Sequence, residues 1–232
     1  MFIGHFAVAF ALKRVAPHAS LGVLTLAAQF ADLLWPVFLL LGLERVRIDP
    51  GNTAVTPLAF DSYPYTHSLV MDIVWGAAVA GAYVVARPAR ERRPARAAAW
   101  IAAGVVSHWI LDWITHRPDM PITLGGATKV GLGLWNSVPA TIAVEGTMFA
   151  AGVWIYLRAT RPRDRSGRIN AWLYVATLLL IYAGNLAGPP PPDPRALAVV
   201  GIGLWLFPLW AAWMDRHRFS PDVGGAGGAF NV

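Results

Sequence analysis

The chain has 232 residues, 56% hydrophobic, 14% charged and without cysteine, which excludes an ordinary soluble globule (about 25% charged), disulfides and thiolate metal ligands. Mean hydropathy is +0.48 and the apolar residues fall in long runs, so the expected fold is all-α, a polytopic transmembrane helix bundle. A net charge of +6 would suit nucleic acid, but the arginines sit in short tracts between apolar runs, as topology signals and lipid contacts do, so no nucleic-acid partner is expected.

The first apolar run, residues 2–12, is short and contains His5. Lys13 and Arg14 follow it instead of preceding it, and no small-residue cleavage pattern appears, so a retained short helix is preferred to a signal peptide. It either spans with tilt or inserts in part. Residues 21–43 form the second run, with Asp32 about midway and Trp35-Pro36 after it, where a kink is expected. Runs at 68–86, 97–115, 137–157, 169–187 and 196–213 follow, each near the ~20 residues a spanning helix needs. Gly188 to Pro194 reads as a stiff extended turn, and the glycine-rich tail from Ser220 onwards as disordered. One helical domain, residues 1–219, accounts for the rest.

Arginine clusters orient the set. Lys13 and Arg14, the five arginines from Arg87 to Arg96, the five from Arg158 to Arg168, and Arg216 with Arg218 all fall on one side if the seven runs alternate. That places fourteen of nineteen basic residues on the cytoplasmic side, with the N-terminus outside and the C-terminus inside. The expected location is the bacterial cytoplasmic membrane, crossed six or seven times. His5, His67, His108, Asp112 and His116 then share the outer half, with Asp32 near mid-span.

His108, Asp112 and His116 are the strongest lead, because i, i+4 and i+8 lie one above another on a helix. Ionisable groups inside an apolar run are costly and need partners; His5, Asp32 and His67 are candidates. One helical turn rises ~5.4 Å, so His108 and Asp112 can share an ion, whereas His108 and His116 are about 12 Å apart along the axis. Two ions bridged by Asp112 would fit that arithmetic, with His116 alternatively a C-terminal cap beside Arg117-Pro118. His67 enters its helix from Tyr63-Pro64-Tyr65-Thr66, and Thr66 or Ser68 can supply its supporting hydrogen bond. Asp72, one turn on, can orient it. Asp61 and Glu145 are candidate bases, and Arg117 and Lys129 candidate phosphate contacts. Nitrogen and oxygen donors without sulfur suit one or two divalent ions, zinc first, with manganese possible.

Gly4-His5, Asp32, Tyr65-Thr66-His67-Ser68 and Ser107-His108-x3-Asp112, in that order, resemble the bacterial family of membrane-bound metal-dependent hydrolases, also called LexA-binding inner-membrane-associated proteins. The likeness covers roughly residues 1–121. The family's Pro-Asp-x-Asp element stands here as Ala31-Asp32-Leu33-Leu34, with one acid fewer. Its ordered His/Asp pattern is in turn similar to the zinc phospholipase C and single-strand nuclease group. The resemblance implies a metal-dependent hydrolase that cleaves a phosphoester, such as that of a lipid headgroup, and the arginine topology puts the expected site at the outer interface. Two rival readings keep the same residues: a transporter for an ion or proton, and a membrane protein with a structural metal. Membrane lipids are the expected surroundings, and the sequence leaves the oligomeric state open.

Overall fold

The computed structural model describes residues 1–86 and 94–221. The arginine tract at 87–93 and the tail from 222 lie outside the described residues, whereas Ser220, expected to be disordered, is buried. All seven apolar runs are helical. They form α1 (Ile3–Val15), α2 (Leu21–Ala28) with α3 (Phe30–Leu40), α5 (Leu69–Val85), α6 (Pro94–Thr115), α7 (Val138–Ala159), α8 (Arg165–Ala187) and α9 (Pro194–Ile202) with α10 (Leu206–Arg216), while α4 (Pro64–His67) is a single turn ahead of α5. The starts are set locally. Ser20, Ser68, Ser137, Asp164 and Asp193 each accept an amide of the first turn, and Pro139 and Pro194 stand where the missing N–H costs nothing.

Four helices are long and apolar enough to cross a membrane: α6, α7, α8 and the run Pro194–Arg216 that joins α9 to α10. A fifth results if α2 and α3, bent by 57°, count as one span. At 17 residues α5 is about 25 Å long, short of the ~30 Å hydrocarbon core. Nine of the thirteen residues of α1 are buried, so that helix is the centre of the bundle and does not face lipid. Phe6 and Phe10 of α1 pack against Phe149 and Tyr156 of α7 and Tyr174 of α8, while Leu12 packs with Leu24 and Ala27 of α2 and Ile101 and Val105 of α6. Close approach needs small residues: a Cβ at Gly152 would meet the Ala7 carbonyl at 2.5 Å. On α8 the buried Gly167, Ala171, Tyr174, Leu178 and Tyr182 form one seam, and Trp172, Leu179 and Leu180 lie outside. Apolar residues therefore cover the outer face, as lipid contact requires.

Two features depart from the sequence reading. The bend in the second run falls at Gln29 and not at Pro36, which is accommodated inside α3. Trp205 Nε1 donates to the Leu33 carbonyl at 3.0 Å, in the turn that Pro36 opens, and so helps that turn persist. The fold is also not purely helical. The hairpin β1 (Arg45–Ile48) and β2 (Leu58–Ser62), the pair β3 (Met120–Pro121) and β4 (Lys129–Val130), and the pair β5 (Arg161–Pro162) and β6 (Arg218–Phe219) are all antiparallel. They are too short to leave an alternating pattern, and the last joins segments far apart in sequence.

Candidate metal centre

Five of the predicted ligands converge. His108 and Asp112 project from α6, His5 from α1, Asp32 from the first turn of α3, and His67 from the end of α4. Ligand atoms of His5, Asp32 and His108 all lie within 4.8 Å of one another, as do those of His67, His108 and Asp112. Asp112 is the hub. Its Oδ2 faces Nε2 of His108 at 3.3 Å, of His67 at 3.8 Å and of His116 at 3.9 Å. Its Oδ1 lies 3.1 Å from His5 Nε2 and also accepts from the Met1 amino group. Asp32 Oδ1 is 3.4 Å from His67 Nε2 and 3.7 Å from His108 Nε2. All members are buried except Asp32, whose side chain keeps a quarter of its exposure and gives the cluster its opening.

The far side of each ring decides which nitrogen faces inward. His108 Nδ1 donates to the Ala28 carbonyl at 2.9 Å, the group freed where α2 ends. His67 Nδ1 is 2.7 Å from Thr66 Oγ1, whose hydroxyl donates to Glu44 Oε2 at 2.7 Å. His116 Nδ1 is 2.9 Å from Asp119 Oδ1, to which Tyr63 also donates. A carbonyl or carboxylate on Nδ1 leaves Nε2 with a free lone pair, the usual arrangement behind a metal ligand. His5 differs: its ring stacks on His108 with centroids 3.7 Å apart, and its Nδ1 is buried without a partner.

These donors fit a cation. His108 Nε2 is buried and makes no hydrogen bond, though two carboxylate oxygens lie within 4 Å of it. The Met1 amino group brings one positive charge to Asp112 Oδ1, and a buried lone pair beside the remaining carboxylate oxygens costs several kcal/mol unless further positive charge joins them. The two three-residue groups share His108. His116 approaches Asp112 but belongs to neither group, its ring held by Asp119 and flanked by Phe60 and Trp135.

The remaining predicted residues have other partners. Asp61 forms a bidentate pair with Arg47 on the exposed β1–β2 hairpin, at 2.8 Å from Nε and 3.0 Å from Nη2, and belongs to neither ligand group. Glu145 caps α1, its Oε2 accepting the amides of Phe2 at 2.9 Å and Gly4 at 3.4 Å. That role explains an acid in the middle of α7 without a base. Arg117 reaches Asp119 at 3.4 Å, and Lys129 lies 3.5 Å from the Asp61 carbonyl. Neither oxygen of Asp72 has a hydrogen-bond partner, so Asp72 does not orient His67. Thr66 does, and Ser68 caps α5 instead. Two supporting acids went unread: Asp119, signalled only by its spacing three residues after His116, and Glu44, twenty-odd residues before His67 and without any local signal. Burial raises the Glu44 carboxyl above its ordinary range, against the pull of His67 and of the hydrogen bonds from Thr66 and Tyr65.

Fold and site together define a mostly helical protein with four or five helices long and apolar enough to cross a membrane and a buried His/Asp cluster able to hold a metal ion. Comparison with known protein families, curated proteins and solved structures finds no match.

Proposed function

We propose that the cluster is a resident divalent-metal centre and that the protein is a multi-pass hydrolase of the bacterial cytoplasmic membrane acting on a phosphoester, the activity implied by the resemblance of its Thr-His-Ser and Ser-His-x3-Asp elements to the membrane-bound metal-dependent hydrolases. One observation carries the metal reading: His108 and His67 have Nδ1 tied to separate partners and Nε2 turned to one carboxylate, Asp112. A structural network would use such nitrogens for hydrogen bonds, whereas His108 Nε2 is buried without one. His5, Asp32, His67, His108 and Asp112 hold one ion, with zinc favoured by the donor set and manganese the alternative. The ion supplies Lewis acidity and a water of lowered pKa. The chain supplies the rest. Asp32 borders the opening, and Arg117 and Lys129 on the outer loops attract phosphate. The arginine distribution puts this end outside and supports an odd number of spans with a cytoplasmic C-terminus. The substrate class is a lipid headgroup or a small phosphoester at the interface.

A transporter is the second reading, favoured by the break at Gln29. A bent, interrupted apolar helix with an acid in the turn after the break is the form ion sites take in many transporters, and both polar side-chain atoms of Gln29 are buried without partners. Purified protein, loaded with zinc or manganese and offered phospholipids and generic phosphoesters, separates the two. Turnover abolished by chelator and by His67→Ala supports the hydrolase. A metal-replete sample that turns over nothing, while liposomes show metal-dependent ion flux, supports the transporter.

A further inference from the structure

We infer that Glu44 is a positioning residue for the metal centre, acting through Thr66 to fix which nitrogen of His67 carries the proton. The inference rests on the reading of His67 as a ligand. Glu44 stands at the root of the outer hairpin, between α3 and β1, and is 2% exposed. Its two oxygens do different work. Oε1 accepts two backbone amides, Tyr65 at 2.8 Å and Thr66 at 2.9 Å, and so caps the turn of α4 that ends in His67. Oε2 accepts the Thr66 hydroxyl at 2.7 Å. A hydroxyl has one proton, and here it points at the carboxylate. Its lone pair is therefore what faces His67 Nδ1, 2.7 Å away, and Nδ1 must be the protonated nitrogen. Nε2 is left bare toward Asp32 and Asp112.

Removing the negative charge while keeping the shape reverses this chain. In Glu44→Gln, the single carbonyl oxygen is needed by the two amides at the Oε1 position. The amide NH2 then stands at the Oε2 position and donates to Thr66 Oγ1. The hydroxyl has to turn its proton toward His67, Nδ1 becomes the acceptor, and the ring proton moves to Nε2, where it blocks a cation. Thr66→Val removes the coupling at nearly constant volume, and Thr66→Ser keeps it.

The test uses the full-length protein in detergent, 15N-labelled at histidine and stripped with chelator, so that its first readout needs no metal. Nitrogen–proton correlation spectra report the tautomer of His67 directly. Wild type and Thr66→Ser should show Nδ1–H. Glu44→Gln should move the population to Nε2–H, and Thr66→Val should leave a mixture. Zinc titration is the second readout, with affinity expected to fall about 10–100-fold in Glu44→Gln and Thr66→Val and to stay within about threefold in Thr66→Ser. If Glu44→Gln does not fold, the Thr66→Val and Thr66→Ser pair carries the comparison alone. An Nδ1–H ring that persists in folded Glu44→Gln or Thr66→Val overturns the inference. A tautomer that switches as expected in a protein whose wild type binds no zinc upholds the role of Glu44 and rejects the metal reading instead.

Discussion

The two ends of the bundle both bury charge, and they do it differently. At the arginine-rich end, Lys13 of α1 donates to Asp215 of α10 at 2.7 Å and to the Ala19 carbonyl at 2.9 Å, and the same carboxylate accepts the Leu21 amide. Arg218 donates to Thr160 Oγ1 and the Gly167 carbonyl, both at 3.0 Å, and lies over the Tyr156 ring. Each of these cations meets an acceptor. At the other end, His108 Nε2, His5 Nδ1 and both oxygens of Asp72 are buried without a hydrogen bond, and two carboxylates share the space with four imidazoles. At the arginine-rich end the charged groups close their own pairs, and among the described residues the buried atoms left without a partner there are hydroxyls, those of Tyr156 and Ser220. A cluster that leaves lone pairs facing each other is arranged around something else.

The contrast is tested most strongly by one substitution at each end. Asp112→Ala should strip nearly all bound metal and any hydrolysis, with a stability cost of its own because the buried Met1 amino group loses its carboxylate. Lys13→Ala should leave the metal in place and cost about 3–5 kcal/mol of stability, because Asp215 would remain buried without its cation. Elemental analysis and thermal melts on both variants read the two effects. A reversal, with Asp112→Ala unfolding and Lys13→Ala losing metal, would erase the distinction between the ends.

Metal removal comes next in size. Binding to the folded state alone stabilises by about 2.7 kcal/mol at a hundredfold excess of ligand over Kd. Chelator should therefore lower the melting midpoint of wild type, and zinc should restore it. Asp112→Asn should show no response to either, and His217→Ala should respond as wild type does. Equal midpoints with and without chelator in wild type would mean that the cluster is a closed structural network after all.

Orientation sharpens the comparison by assigning each end a side of the membrane. Reporter fusions after Arg93, Lys129 and Phe219 should read inside, outside and inside. An outside signal at Phe219 would put the arginine-rich end in the wrong compartment.

The smallest effect concerns the exposed Asp164–His217 pair, 2.7 Å apart at the arginine-rich end. The hydrogen bond from His217, helped by the Gly167 amide, holds the Asp164 carboxyl below its ordinary value. A depressed carboxyl stabilises above its unfolded pKa and loses that contribution as pH falls through the folded one. Asp164→Asn should lower the melting midpoint slightly at neutral pH and not at all once the carboxyl is protonated. High salt should shrink the difference, since the pair is solvent-exposed.

Much of this was legible in the chain. The apolar runs are helical in the structure, and four or five of them are long enough to cross a membrane, where a helix is the way such a segment satisfies its own backbone. His108 and Asp112 were readable as a pair because helical periodicity fixes i, i+4 neighbours without any tertiary contact. His5, Asp32 and His67 were named as partners because ionisable groups in apolar runs need them, and the structure brings all three to His108 and Asp112. The partners of Asp61 and Glu145 were not legible: Arg47 lies across a hairpin and the amides of Phe2 and Gly4 on another helix. The sequence by itself determined the class of fold, the donor types and their common end of the bundle, since hydropathy, charge and local spacing act along the chain. Only the tertiary structure decided that α1 is central and not at the lipid surface, that the second helix breaks at Gln29, that the Ala28 carbonyl orients His108, and that Glu44 stands behind His67. Each of those depends on which atoms meet across elements, and a hydrogen bond between distant segments leaves no period in the sequence.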